Sequence, residues 1–227
     1  MQEINETITY RKALKGKILE CAMKAFTQHG VKAVRMDDVA SLLGISKRTL
    51  YEVYKDKEEL LFEGVKKYGG ERKDSFVAFA QAADNVIEVV LELYRLKVEE
   101  SRLVNPQFYA DMQKYPKVMQ YIKDSHDRSR TEMEQFFARG VSEGYFRGDV
   151  NSELALQLFD AIEQYVVGHS LIEKFSFEDL FGNMVLVTLR GLCTLKGIMA
   201  LDEAVALRRA QISENERGIS EPMPSTM

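Results

Sequence analysis

The stretch Met36–Tyr51 places a glycine between two short segments whose apolar residues can face one another. Ala40 is small where two helices would have to cross closely, and Leu50 lies on the facing side of the second segment. Gly44 permits a tight turn because it has no Cβ atom, and Ser46 can restart the chain as the N-cap of a helix. The pattern predicts a helix-turn-helix, in which two short helices meet at a steep angle.

Helical periodicity continues through the rest of the chain. Apolar residues recur at spacings of three and four, for example at Leu154 and Leu158, and no run shows the sustained alternation of a β-strand. We therefore expect an all-α fold, with an N-terminal three-helix head over residues 1–56 and a C-terminal helical body over residues 57–212. The tail, residues 213–227, is rich in Ser, Glu and Pro and is expected to be disordered.

Individual helix boundaries can be predicted from local chemistry. Gly30 is expected to end the first helix, because glycine readily adopts the left-handed conformation of a helix terminus. A fourth helix is expected to begin near Lys57 and to bend or weaken at Gly69–Gly70, where two glycines follow one another. Later segments are expected to form continuous helices over Pro116–Glu143, Ser152–Glu173 and Phe177–Met199.

The exposed face of the second segment would present cations and hydroxyls at the start of a helix. Such groups reach phosphates and guanine edges in a DNA major groove. Residues 1–57 hold 11 Lys/Arg against 7 Asp/Glu, a net of +4, whereas residues 58–227 hold 20 against 28, a net of −8. Any single lysine could instead be an ordinary solvated side chain. The expected DNA surface comprises Arg35, Ser46, Lys47, Arg48, Thr49, Tyr51, Lys55 and Lys57.

A longer pattern runs through Ile18-Leu19, Ala22, Ala25-Phe26, His29-Gly30, Met36, Asp38-Val39-Ala40, Gly44-Ile45-Ser46, Thr49-Leu50-Tyr51, Tyr54, Lys57-Glu58 and Leu60. In this pattern the chain resembles the tetracycline-repressor-like (TetR) family of transcriptional regulators. The resemblance implies a three-helix DNA-binding head, a connecting fourth helix, and an all-α domain for dimerisation and ligand binding. It further implies that Thr49 and Tyr51 contact the DNA backbone. In the same way, it puts Lys47 and Arg48 at base-reading positions and Lys57 on a phosphate.

Two late segments are apolar on more than one face. Leu154–Ile172 contains only Asp160 and Glu163 as charged side chains, and Leu180–Leu195 contains only Arg190. A surface helix needs one apolar stripe, so these segments must be covered on a second side. A second copy of the chain would give a four-helix interface over residues 152–199, and a location fully inside one subunit is the alternative. Expected interface residues are Leu154, Leu158, Ile162, Tyr165, Leu186 and Leu189.

Aromatic and methionine side chains crowd the middle helices. They predict a mostly apolar cavity, in which tyrosine hydroxyls orient a small apolar effector, and a filled core is the alternative. The expected lining comprises Phe76, Phe79, Tyr94, Phe108, Met112, Met119, Tyr165 and His169. A regulator without a small-molecule ligand, acting constitutively or through a protein partner, is the rival hypothesis.

Other classes of protein are disfavoured by the sequence. It contains no glycine-rich phosphate loop and no HExxH, so we expect no enzyme. Cys21 and Cys193 are expected as buried thiols, and no metal site or cofactor is expected. Leu180–Leu189 has about half the length of a membrane span. The sequence thus predicts a cytoplasmic homodimeric repressor whose partners are double-stranded DNA, a second copy and a small apolar effector, with no membrane.

Overall fold

The computed structural model describes the backbone of residues 2–219 and the side chains of residues 9–207. The fold is all-α, as predicted. Within the described residues, the isolated bridge between Phe146 and Cys193 is the one β-type contact. The helices are α1 Gln2–His29, α2 Met36–Leu42, α3 Lys47–Val53, α4 Lys57–Ala82, α5 Val86–Leu103, α6 Pro106–Met112, α7 Pro116–Arg128, α8 Arg130–Ser142, α9 Ser152–Gly168, α10 Phe177–Leu180, α11 Leu186–Leu192 and α12 Leu195–Ile219.

The boundaries of the first helices follow local capping chemistry. Gly30 follows α1 with a φ of 82°, and Gly44 follows α2 with a φ of 63°, a backbone conformation that favours glycine. Ser46 caps α3, since its Oγ accepts the Thr49 N–H at 3.0 Å. Asp56 caps α4 in the same way. These side chains satisfy N–H groups that a helix start leaves unpaired.

Buried side chains form two clusters, and their boundary does not fall at residue 57. The first cluster contains α1, α2 and α3 together with Leu60 and Leu61 of α4, and it extends to Phe108 and Met112 of α6 and Val118 of α7. The second cluster unites α5 with α8, α9, α11 and α12. The helix-turn-helix therefore shares one core with α1, α4, α6 and α7.

Two helices that were expected to be continuous are interrupted. Pro116–Glu143 divides at Ser129, which lies between α7 and α8. Ser152–Glu173 ends as an α-helix at Gly168. The physical reason is that Ser170 has a φ of 50°, in the left-handed region, and therefore cannot continue a right-handed helix.

The segment Phe177–Met199 is also not one helix. A π-helical turn at Phe181–Val185 separates α10 from α11, and Cys193 leaves the helix with an extended backbone. The cause is tertiary pairing, since the Thr194 N–H donates to the Tyr145 carbonyl at 2.9 Å. Cys193 is buried where the chain leaves α11, and burial raises the pKa of its thiol to about 11. The other cysteine, Cys21, is partly buried.

Two other helices are longer than expected. α4 runs without interruption through Gly69–Gly70 to Ala82, so the two glycines do not end it. α12 continues to Ile219, so residues 213–219 of the predicted tail are helical, and residues 220–227 lie outside the described part. Among the described helices, none has the length and apolar character that a membrane span requires.

α4 is fastened to its neighbours by a partly buried charge cluster. Arg72 of α4 lies 3.0 Å from Glu100 of α5, which also pairs with Lys97 at 3.2 Å and accepts the Tyr109 hydroxyl of α6. Burial alone would raise the pKa of Glu100, but Lys97, Tyr109 and Arg72 outweigh it, so this pKa is lowered. Arg139 of α8 donates to a carbonyl in the last turn of α4 at 2.8 Å. α4 thereby connects the helix-turn-helix with three helices of the body.

Candidate nucleic-acid interface

α2 and α3 pack through a small apolar contact that leaves the outer face of α3 open. Val39, Ala40 and Leu50 are buried between them. Arg48, the second residue of α3, has a side chain that is 89% exposed, and Tyr51 one turn later is exposed as well. The predicted steep pairing of two short helices therefore presents a cation and an aromatic ring on one accessible surface.

The two cations at the start of α3 each have a carboxylate partner. The Lys47 ammonium pairs with Asp37 in the first turn of α2. The Arg48 Nε lies 2.9 Å from the Glu52 Oε1, one helical turn along α3. These hydrogen bonds raise the pKa of Lys47 and of Arg48, so both stay charged. The cations were predicted from the sequence and the carboxylates were not, although the i, i+4 spacing of Arg48 and Glu52 indicates such a pair.

The two hydroxyls of the predicted surface are used within the helix start. The Ser46 Oγ accepts the Thr49 N–H and lies 2.8 Å from the Thr49 Oγ1. Ser46 thus acts first as a cap, and Thr49 is only partly exposed. Both lie beside Lys47 and Arg48, so the structure brings the four predicted residues at this end of α3 together.

The flanking cations differ in their exposure and in the groups that they contact. Lys55 is exposed, and its Nζ lies 3.9 Å from Asp56. Arg35 is exposed just before α2. Lys57 is half-buried, its ammonium donates to the Val31 carbonyl at 3.0 Å, and desolvation lowers its pKa. Lys57 therefore holds the loop after α1, a contact that no sequence motif indicated.

A buried carboxylate joins this surface to the body. Asp111 of α6 is 1% exposed and accepts the Lys32 N–H at 2.7 Å, the Gln107 Nε2 at 3.1 Å and the Lys114 Nζ at 2.9 Å. Burial would raise the pKa of Asp111, but these partners lower it. Asn105 binds the end of α1 through the Thr27 and Gln28 carbonyls, at 2.8 and 3.1 Å. We call these contacts of Asn105, Gln107 and Asp111 the α6 joint.

The predicted dimer residues fall into two groups. Leu154, Leu158 and Tyr165 are 63%, 49% and 51% exposed and share one face of α9, which we call the α9 stripe, and Ile162 beside them is half-buried. Leu186 and Leu189 are buried in the second cluster of this chain, and their assignment to an interface stays a prediction. Val187, which was not predicted, is the exposed large apolar side chain of α11.

The structure does not bring the predicted ligand-lining residues together. Tyr94 is buried in the second cluster with its ring 4.7 Å from Phe181, whereas Phe108 and Met112 are buried in the first. Tyr165 and His169 stack on each other at 4.0 Å on the exposed side of α9. Among the others, Phe76 and Met119 are half-buried and Phe79 is exposed. The reason is that the middle helices belong to two different buried clusters. The helical periodicity of the sequence did not reveal this division.

An open cleft lies elsewhere, beside the bridge that ends α11. It has a volume of about 280 Å³ and an apolar lining that includes Phe137, Phe146 and Leu192, with Glu134 and Arg147 as its charged residues. No group of three or more His, Cys, Asp or Glu side chains within the described part could hold a metal ion. The cleft is apolar with two opposite charges, and it shares no residue with the predicted lining.

Comparison with known proteins places the resemblance in the head. The family model for bacterial regulatory proteins of the tetR family matches residues 18–63. The HTH-type transcriptional regulator YhgD of Bacillus subtilis (strain 168) is 54% identical over 46 residues, 20% of this chain and 24% of that protein. The chain thus spans about a quarter of YhgD, and this likeness concerns the head alone.

Two further similarities extend into the body. The HTH-type transcriptional repressor KstR2 of Mycobacterium tuberculosis is 25% identical over 146 residues, 62% of this chain and 72% of that protein. A transcriptional regulator from Saccharomonospora viridis, solved in complex with choline, has 21% identity and a TM-score of 0.64. It covers 81% of this chain and 99% of that chain, which shows a common fold.

Proposed function

This chain belongs to the tetR family of transcriptional regulators through its N-terminal domain, and we propose that it acts as a homodimeric repressor that a small molecule releases from DNA. Like its curated relatives, it is a DNA-binding regulator and not an enzyme. The observation that carries the proposal is the open face of α3, where Lys47, Arg48 and Tyr51 are exposed beside the capped helix start.

In this proposal, α3 enters the major groove with its first turn toward the base edges. Lys47 and Arg48 reach acceptors on guanine, whereas Thr49 and Tyr51 contact the backbone. Lys55 and Arg35 bind flanking phosphates, which their exposure supports. Lys57 keeps its contact with the Val31 carbonyl, and it supports DNA binding by stabilising the fold of the head.

A single helix-turn-helix reads only a few base pairs, so useful selectivity requires two heads on a roughly palindromic site. We propose that the α9 stripe of one chain packs against that of a second. Its three large apolar side chains are exposed, and a Cβ atom added at Gly168 or Gly191 would meet nothing within 4 Å in this chain. Val187 is the further exposed side chain that such an interface would cover.

Control by a small molecule is supported by the ligand of a structural neighbour and by the contacts of α4 with the body. The structural neighbour from Saccharomonospora viridis was solved with choline. In this chain, α4 begins beside α3 and is tied to α5, α6 and α8, so a ligand that shifts these helices would move the head. We propose a small, largely apolar effector. The burial of Tyr94 and Phe108 in two filled clusters favours the second candidate, a regulator without such a ligand.

Release from DNA separates these two candidates. The operator is first selected by the protein itself from a pool of random duplexes. Apolar metabolites and choline are then tested for their effect on the operator complex. A small-molecule regulator should show at least one compound that binds the free protein and weakens operator affinity about 5–150-fold, the usual range of allosteric coupling. Compounds that bind without changing this affinity would favour control without a ligand.

Exchange of Arg48 and of Lys55 should affect DNA binding in different ways. Arg48→Ala should relax the preference at particular base pairs, by about 1–3 kcal/mol, because a base contact is lost. Lys55→Ala should weaken binding to all sequences alike and lower the salt slope by about one, because one phosphate contact is lost. Both effects are measured as affinities for single-base variants of the selected operator over a salt series.

Lys123→Ala is the matched control for the lysine exchange, since Lys123 is exposed on α7. It removes the same charge and should leave DNA affinity unchanged. If Arg48→Ala and Lys55→Ala both bind the operator like the native protein while remaining folded, the assignment of α3 to the major groove is wrong.

A further inference from the structure

The start of α3 is electrically neutral, although the first 57 residues carry a net charge of +4. Lys47 is paired with Asp37, and Arg48 is paired with Glu52. All four side chains are close to half exposed or more, so the pairs lie on the accessible surface. We call these four residues the α3 charge cluster. By contrast, the flanking cation Lys55 has its nearest carboxylate oxygen at 3.9 Å.

Neutralisation of this kind has a direct effect on DNA binding. Affinity for DNA of any sequence comes from cations that replace counterions on the phosphates. Lys47 and Arg48 can contribute to it only after they leave Asp37 and Glu52, and the two carboxylates then face a polyanion. Exposed ion pairs add little to the stability of a fold, so stability gives no strong reason for them.

Base edges in the major groove offer hydrogen-bond partners for the cations and for the carboxylates. Guanine provides two acceptors for Arg48 or Lys47, and the amino group of cytosine or adenine can donate to a carboxylate. Glu52 lies one helical turn from Arg48, which corresponds to about 6 Å along the helix axis. At a matching sequence, guanine can therefore replace Glu52 as the partner of Arg48, and a base amino group can replace Arg48 as the partner of Glu52. A phosphate can replace only the carboxylate.

We propose that Asp37 and Glu52 are specificity-determining residues, which suppress binding to non-cognate DNA by holding Lys47 and Arg48 in ion pairs that a cognate sequence alone replaces. This inference rests on the DNA interface proposed above. It assigns a role to acidic side chains at a surface that binds a polyanion. It also places selectivity in the free protein, before any base is contacted.

The test compares Asp37→Asn and Glu52→Gln with the native protein on two probes, a random-sequence duplex and the operator selected from a random pool. Each variant should bind the random duplex roughly five- to tenfold more tightly at low salt, with a salt slope steeper by about one, because one cation is released to the phosphates. Operator affinity should rise less, so the ratio of the two affinities should fall. Glu52→Gln should also lose discrimination at one base pair.

Two controls remove a carboxylate from similar pairs far from the DNA surface. Glu132→Gln frees Lys73, which lies 3.3 Å away on another helix, and Asp149→Asn removes the carboxylate that pairs with the exposed Arg147 at 2.7 Å. If the native protein selects an operator but the two variants bind random DNA no more tightly than these controls, the inference is overturned and the interface stands. If the native protein selects no sequence, the interface itself fails, and the inference fails with it.

Discussion

Exchange of Leu158 for Arg should leave the protein monomeric and lower its affinity for the selected operator by roughly 10²–10⁴-fold, because the second head is no longer tethered. Leu158 lies in the middle of the α9 stripe and is 49% exposed, so a long cation can be accommodated within the folded chain. In a dimer, the same cation would be buried against a second apolar stripe without a partner. Molecular mass in solution and operator affinity are measured on the same samples.

Leu103→Arg provides the matched control, since Leu103 is exposed at the end of α5, away from α9. It should remain dimeric and bind the operator like the native protein. Leu186 is not a suitable site for this test, because it is buried and its exchange would damage the second cluster. A native protein that has the mass of one chain at micromolar concentration would refute the dimer proposal.

Exchange of Asp111 for Ala should lower the free energy of unfolding by about 1–3 kcal/mol, because the hydrogen-bond donors of the α6 joint lose their buried charged acceptor. The Lys32 N–H and the Gln107 amide would lose a charged acceptor. Since the pKa of Asp111 is lowered, its contribution is complete above the ordinary value of 3.8 and is lost as the pH falls through the lower folded-state value. Urea unfolding at neutral and acidic pH measures both effects.

The matched control for this exchange is Asp124→Ala. Asp124 is exposed on α7 and accepts a hydrogen bond from Gln120 at 2.7 Å, so the change removes an equivalent carboxylate from a solvated site. Its effect on unfolding should be small. Hydrogen exchange at Lys32 adds a local measurement, and it should accelerate in the Asp111 variant alone. Equal unfolding curves for the two variants would contradict the structural role of the α6 joint.

The parts of the fold that could be predicted from the sequence depend on neighbouring residues. Gly30, Gly44, Ser46 and Asp56 act within one helical turn, so their roles are readable along the chain. The exposed cations of α3 were predictable for the same reason, because the glycine turn sets which side of the helix faces outward.

The parts that could not be predicted depend on partners that are distant in sequence. The phosphate contact expected for Lys57 stays a prediction, and its contact with the Val31 carbonyl across the head was not indicated by the sequence. Asp111 received no role, because its partner Lys32 is 79 residues away. The burial of Leu186 in the second cluster could not be predicted, since apolar character alone cannot tell which helices cover a side chain.

The composition of the first cluster bears on how regulators of this type could be recombined. An exchange of DNA-binding heads that is cut at the end of the helix-turn-helix, here residue 56, would separate Leu60, Phe108 and Val118 from the head, although they complete its core. The transplantable module therefore consists of α1 to α3 with matching surfaces on α4, α6 and α7. A chimaera should preserve these surfaces even when it replaces everything that recognises a ligand.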